Sequence, residues 1–107
     1  MGSFNPEHAK VLEAMLKGIP DAKPSKMFGY PAYKVNGKLA VGLHDGGIVA
    51  KVGPQRAGEL IGKTGIEVFE PMPGRAWKDW VLLTSNFEQN RPVFKEAVQY
   101  VLAETSA

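Results

Sequence analysis

The sequence contains no cysteine. That absence excludes disulfide scaffolds, thiolate zinc sites and cysteine nucleophiles together, and it fits a reducing compartment. No apolar run approaches the roughly 18 residues that a membrane-spanning helix requires. The opening Met1-Gly2-Ser3-Phe4 has no basic segment leading into an apolar one, so no secretory signal is expected. The expectation is a cytoplasmic protein that makes no membrane contact.

Chemistry-bearing residues are equally scarce. The only histidines are His8 and His44, the sole side chains that titrate near neutrality without a strong perturbation. His8 falls in the first turn of an expected helix, and His44 stands beside Asp45 at an expected turn. A metal site needs three or four converging ligands, and no spacing here supplies them. Gly42, Gly46 and Gly47 lie inside a hairpin pattern, whereas a dinucleotide fingerprint must join a strand to a helix. Gly53-Pro54 does precede a helix, whose N-terminus could attract an anion. Carboxylates are scattered and no serine has a visible base partner. The expectation is therefore no catalytic residue, no metal, no cofactor and no enzyme.

What is present reads as one globular domain over residues 1–107. A chain of 107 residues with 44% hydrophobic and 22% charged residues has ordinary globular composition. Its length allows one core that forms without staples. The net charge of +2 is unevenly spread: residues 1–53 carry +3 and residues 54–107 carry −1. The excess comes from Lys10, Lys17, Lys23, Lys26, Lys34, Lys38 and Lys51, scattered singly rather than in a run. Such a surface suits anionic partners or is merely solvated.

Asn5-Pro6-Glu7 is a helix start: an N-cap, a proline at the first helical position and an acid in the first turn. Val11, Leu12, Met15 and Leu16 form its apolar stripe, and Gly18 with Pro20 ends it. Residues 21–26 are polar with Pro24 and read as a loop. Asn36-Gly37 lies between Tyr33-Lys34-Val35 and Lys38-Leu39-Ala40-Val41, a strong signal for a type I′ hairpin. Asp45-Gly46-Gly47 makes a second turn before Ile48-Val49-Ala50-Lys51-Val52. A short helix over residues 54–61, strands over 66–69 and 80–83, and a last helix capped near Asn90 complete the chain. Phe94, Ala97, Val98 and Val101 supply that helix's stripe. The predicted class is α+β: a two-layer domain with a five-stranded antiparallel sheet, in the order α-β-β-β-α-β-β-α.

Hairpin register sorts side chains by face, because directly opposed residues point the same way. A two-residue turn at Asp45-Gly46 pairs Leu43 with Ile48, Val41 with Ala50 and Leu39 with Val52, all apolar and hence the core face. A two-residue turn at Asn36-Gly37 then pairs Tyr33 with Ala40, which sends Tyr33 and Val35 to the other face with Lys38, Val49 and Lys51. These five form the expected interaction face, for a protein partner or a second copy. A bulge near Asn36 would slip this register and bury Tyr33 instead.

Gly74-Arg75-Ala76-Trp77-Lys78-Asp79-Trp80 is the most unusual stretch. Arg75, Trp77 and Lys78 are the candidate nucleic-acid contacts, through base stacking and phosphate pairing. The structural alternative puts Trp80 in the core and Trp77 over an edge.

Three segments taken in order resemble the N-terminal domain of TfoX/Sxy-type proteins: Lys26-Met27-Phe28-Gly29, Val35-Asn36-Gly37-Lys38-Leu39-Ala40 and Ile48-Val49-Ala50-Lys51-Val52. Pro73-Gly74-Arg75-Ala76-Trp77-Lys78-Asp79-Trp80-Val81 looks like that family's Gly-Arg-x-Met-Lys-x-aromatic-Val stretch. The resemblance implies a secretion-chaperone-like two-layer fold. It also implies regulation, since TfoX proteins promote natural competence through contacts with transcription machinery. Tyr30-Pro31 stands where the family commonly has a further glycine, and Trp77 where it usually has methionine. No segment after Ala107 corresponds to the TfoX C-terminal domain, so competence itself is not carried over. The leading expectation is a non-catalytic protein-interaction or regulatory module. A nucleic-acid-binding module is the alternative, and a small-ligand-binding domain the second.

Overall fold

The computed structural model describes residues 5–106. Among them, α1 (Pro6–Leu16) is followed by β1 (Lys23–Met27), β2 (Tyr30–Val35), β3 (Lys38–His44) and β4 (Gly47–Lys51). Then come α2 (Pro54–Leu60), β5 (Ile66–Val68), β6 (Trp80–Leu83) and α3 (Arg91–Thr105). The six strands form one open antiparallel sheet in the order β1-β2-β3-β4-β6-β5. The fold class is α+β, with six strands rather than five.

The additional strand is β1, where the sequence reads as a loop. Its Lys23, Pro24, Ser25 and Lys26 carry no hydrophobic alternation because β1 is an edge strand, where proline and lysine are tolerated. Phe28 and Gly29 link it to β2 with φ of 54° and 81°, both in the left-handed region that a type I′ turn demands. Asn36 and Gly37 follow the same rule at 52° and 82°.

The helices lie on one side of the sheet. Asn5 caps α1 as expected, its Oδ1 accepting from the Glu7 N–H at 2.8 Å. Leu12 and Leu16 of α1, Ala57 and Leu60 of α2, and Phe94, Val98 and Val101 of α3 meet Val41, Leu43, Ile48, Ala50, Val81 and Leu83. Asn90 precedes α3 without a capping hydrogen bond; its Nδ2 donates to the Thr64 carbonyl at 3.1 Å instead.

The β2–β3 register departs from the expectation. Val35 faces Lys38 and Lys34 faces Leu39, but Tyr33 then faces Val41, which leaves Ala40 as an extra residue. This bulge re-aims everything beyond it by one position. Val35 and Ala40 therefore join the helix-side core, fully buried, and Tyr33 packs against that core. Leu39, expected there, packs against the opposite face. Burial, followed by the Glu13 carboxylate, raises the Tyr33 phenol above its ordinary 10.0. The folded chain thus favours the neutral phenol, and stability falls as pH rises past the unfolded value. An alkaline absorbance titration of Tyr33→Phe should lack one late-ionising tyrosine that the parent shows. An unchanged curve would contradict the assignment.

Candidate functional site

Among the described residues no helix lies over the sheet's second face. It is covered by an arm, residues 69–79, between β5 and β6. The arm turns tightly at Pro73-Gly74: the Arg75 N–H donates to the Met72 carbonyl at 2.9 Å, and Gly74 has φ of 76°. Proline followed by a positive-φ glycine is the signature of a type II turn. The Glu70 carboxylate accepts from the Gly74 N–H at 3.1 Å, and the Trp77 N–H donates to the Phe69 carbonyl at 2.9 Å. These bonds hold the two limbs together.

Under the arm lies a second, smaller core of Met27, Ala32, Val49, Phe69 and Trp80, with Leu39, Trp77 and Leu82 packed on it. Phe69 is its centre, only 1% exposed. Its ring meets His44 at 4.9 Å, Trp77 at 5.2 Å and Trp80 at 6.3 Å. Edge-to-face pairs at such spacings add to area burial. Gly42 keeps the floor low, because a Cβ there would stand 3.0 Å from the Met27 sulfur.

Where this cluster reaches solvent it forms a hollow of about 300 Å³, lined by Phe28, His44, Pro71, Met72 and Trp77. Two hairpin tips at one end of the sheet build one wall. Phe28 comes from the β1–β2 turn, and His44 ends β3. Phe28 sits edge-on to His44 at 6.0 Å and tilted over Trp77 at 5.9 Å. The tips are tied by the Tyr30 hydroxyl, which donates to Asp45 Oδ1 at 2.7 Å. That hydrogen bond raises the Tyr30 phenol above its ordinary value. Phe28 is 58% exposed and Met72 57% exposed. A bulky residue in the left-handed region is uncommon, and strained positions cluster at functional sites.

The expected interaction face does not exist as a surface. Val35 and Val49 have no exposure, Val35 because the bulge turns it under the helices, Val49 because Phe69 and Trp80 cover it. Tyr33 is half-buried beside α1. Lys51 donates to Glu104 of α3 at 2.9 Å, and Lys38 alone of the five is exposed. Of the expected nucleic-acid contacts, Trp77 lines the hollow and Arg75 is exposed on the arm, while Lys78 lines a separate hollow with Pro54, Gly58 and Val68 on the other side of Trp77. The structure thus brings only Trp77 of the arm triplet into the hollow, and it disperses the sheet-face set. Sequence reading missed Phe28, Met72 and the role of His44. The available signal was a phenylalanine in a turn position before glycine.

His8 lies elsewhere, its ring edge-on to Phe87 at 5.1 Å. Among the described residues no group of three or more His, Asp or Glu is placed to hold a metal ion, and no helix is long and apolar enough to cross a membrane. A larger hollow of about 480 Å³ lies between Gly53 and Tyr100. Its guanidinium, Arg56, is already engaged by Glu96 at 2.6 Å and Glu59 at 3.1 Å, which leaves little to recognise a ligand. No family model matches the chain, and no curated protein or solved structure matches it.

Proposed function

We propose that this chain is a non-catalytic recognition module that takes a planar or apolar group of its partner into the hollow between Phe28, Met72 and Trp77. One observation carries the reading: Phe28 is held at φ 54° with more than half its surface exposed. A turn selected for stability alone would hold asparagine there, as the next hairpin does at Asn36. Exposed aromatic and methionine side chains with arginine at the rim match the composition of recognition hot spots. The resemblance to TfoX N-terminal domains supports the same kind of role, regulation by contact.

Indole is a compact planar apolar probe of the required kind. Titrated into labelled protein, it should shift the amide resonances of Gly29, His44 and Met72 and the Trp77 indole N–H together. In Phe28→Asn those shifts should largely disappear. Relief of left-handed strain, about 1–2 kcal/mol, opposes the loss of a ring already half in water. The variant's stability should therefore stay within about 1 kcal/mol of the parent. Absence of the shifts, or their persistence in a folded Phe28→Asn, would refute the reading.

A further inference from the structure

The second face carries cations as well as rings. Ala32 faces the arm, and strand alternation places Lys34 on the same side, opposite Leu39, which packs there too. Lys23 is the direct cross-strand partner of Lys34. Like charges directly opposed on one face repel, and no carboxylate among the described residues lies within 4.0 Å of either. Arg75 and Lys78, flanking Trp77, are likewise outside every ion pair of the described residues. Of the acids nearby, Asp45 accepts from Tyr30 and Glu70 from the arm's backbone, and Asp79, next to Lys78, makes no ion pair among the described residues. Glu67, on the same face opposite Leu82, stands at the far edge strand.

We infer that the partner is a single-stranded nucleic acid, with a base stacked on Phe28 and Trp77 and backbone phosphates on Lys23 and Lys34. This rests on the hollow being the recognition site and names what fills it. The lysine pair and the ring pair lie at opposite ends of β1, about 16 Å apart at about 3.3 Å per residue. A strand of several nucleotides spans that interval. Aromatic platforms with a cationic track are the usual means of holding unpaired strands without sequence readout. A protein partner would need several acids spaced to match these cations as well as a ring for the hollow. A nucleic acid carries both by construction.

The test is fluorescence anisotropy with labelled dT15, U15 and a 15-base-pair duplex, from 25 to 200 mM salt. Both single strands should bind at low salt, more tightly than the duplex, and weaken as salt rises. Lys34→Gln should weaken binding and reduce the log–log salt slope by about 0.7. Phe28→Asn should weaken it roughly tenfold or more with the slope unchanged. No binding of either strand at 25 mM salt, duplex binding as tight as single-strand binding, or full affinity in a folded Phe28→Asn would overturn the inference. Should oligonucleotides fail while indole still shifts Gly29 and Trp77, only the nucleic-acid assignment falls. Failure of both removes the hollow as a site.

Discussion

Gly47→Ala is expected to abolish the folded state at physiological temperature. Gly47 opens β4, and β6 runs directly against it: a Cβ there would collide with the Leu83 carbonyl oxygen and stand 3.0 Å from the Leu83 carbonyl carbon and 3.2 Å from Thr84 Cα. All three atoms are backbone, so no rotamer change relieves the contact. β4 and β6 would have to part where Ile48 pairs with Leu83, two residues with no exposure in the main core. Losses above about 4 kcal/mol belong to this kind of clash, against a total stability of about 5–15 kcal/mol. Circular dichroism should show an unfolded or aggregated chain for Gly47→Ala and a native one for Gly46→Ala. The Gly46 position meets only a leucine methyl at 3.5 Å. A cooperative native melt for Gly47→Ala would show that the strands do not approach as described.

Phe69→Ala should cost about 3–5 kcal/mol, the usual range for emptying a buried aromatic site. For a domain of this size that lowers Tm by roughly 15 °C or more. Its signature should be local before it is global. Phe69 is the ring on which His44, Trp77 and Trp80 all pack, whereas the helix-side core does not include it. Both tryptophans of the chain lie in this cluster, so the tryptophan bands of the near-ultraviolet dichroism and the indole emission report on it. Below its melting point the variant should lose tryptophan dichroism and indole binding while keeping its helical signal. Native tryptophan dichroism in Phe69→Ala would mean that the arm holds its place by other means.

Much of the main core was legible because its signals are local. Asn5 and Pro6 announce α1, Asn36-Gly37 fixes a turn, and the Leu43–Ile48 and Val41–Ala50 pairs follow from the Asp45-Gly46 turn. The second face was not legible, for three separate physical reasons. An edge strand lacks hydrophobic alternation, so Lys23-Pro24-Ser25-Lys26 reads as loop. The bulge at Ala40 leaves no mark in the sequence, yet it exchanges the faces of Tyr33 and Leu39. The arm has no period, so Phe69 and Trp80, eleven positions apart, give no sign that they share a core. Phe28 was obscured by being the wrong residue for its turn, and that mismatch is what makes it informative.

Strand β1 has a further consequence for how this protein meets other molecules. An open sheet ends in rows of backbone groups that invite a visiting strand, yet here the exposed border carries Pro24, which has no N–H to offer, between Lys23 and Lys26. The opposite border, β5, is three residues long. Neither rim is a template for main-chain pairing, so fibre-like growth and strand-swapped assembly are both discouraged by construction. Encounters are thereby left to side chains on the broad surface, where composition rather than backbone decides who is held.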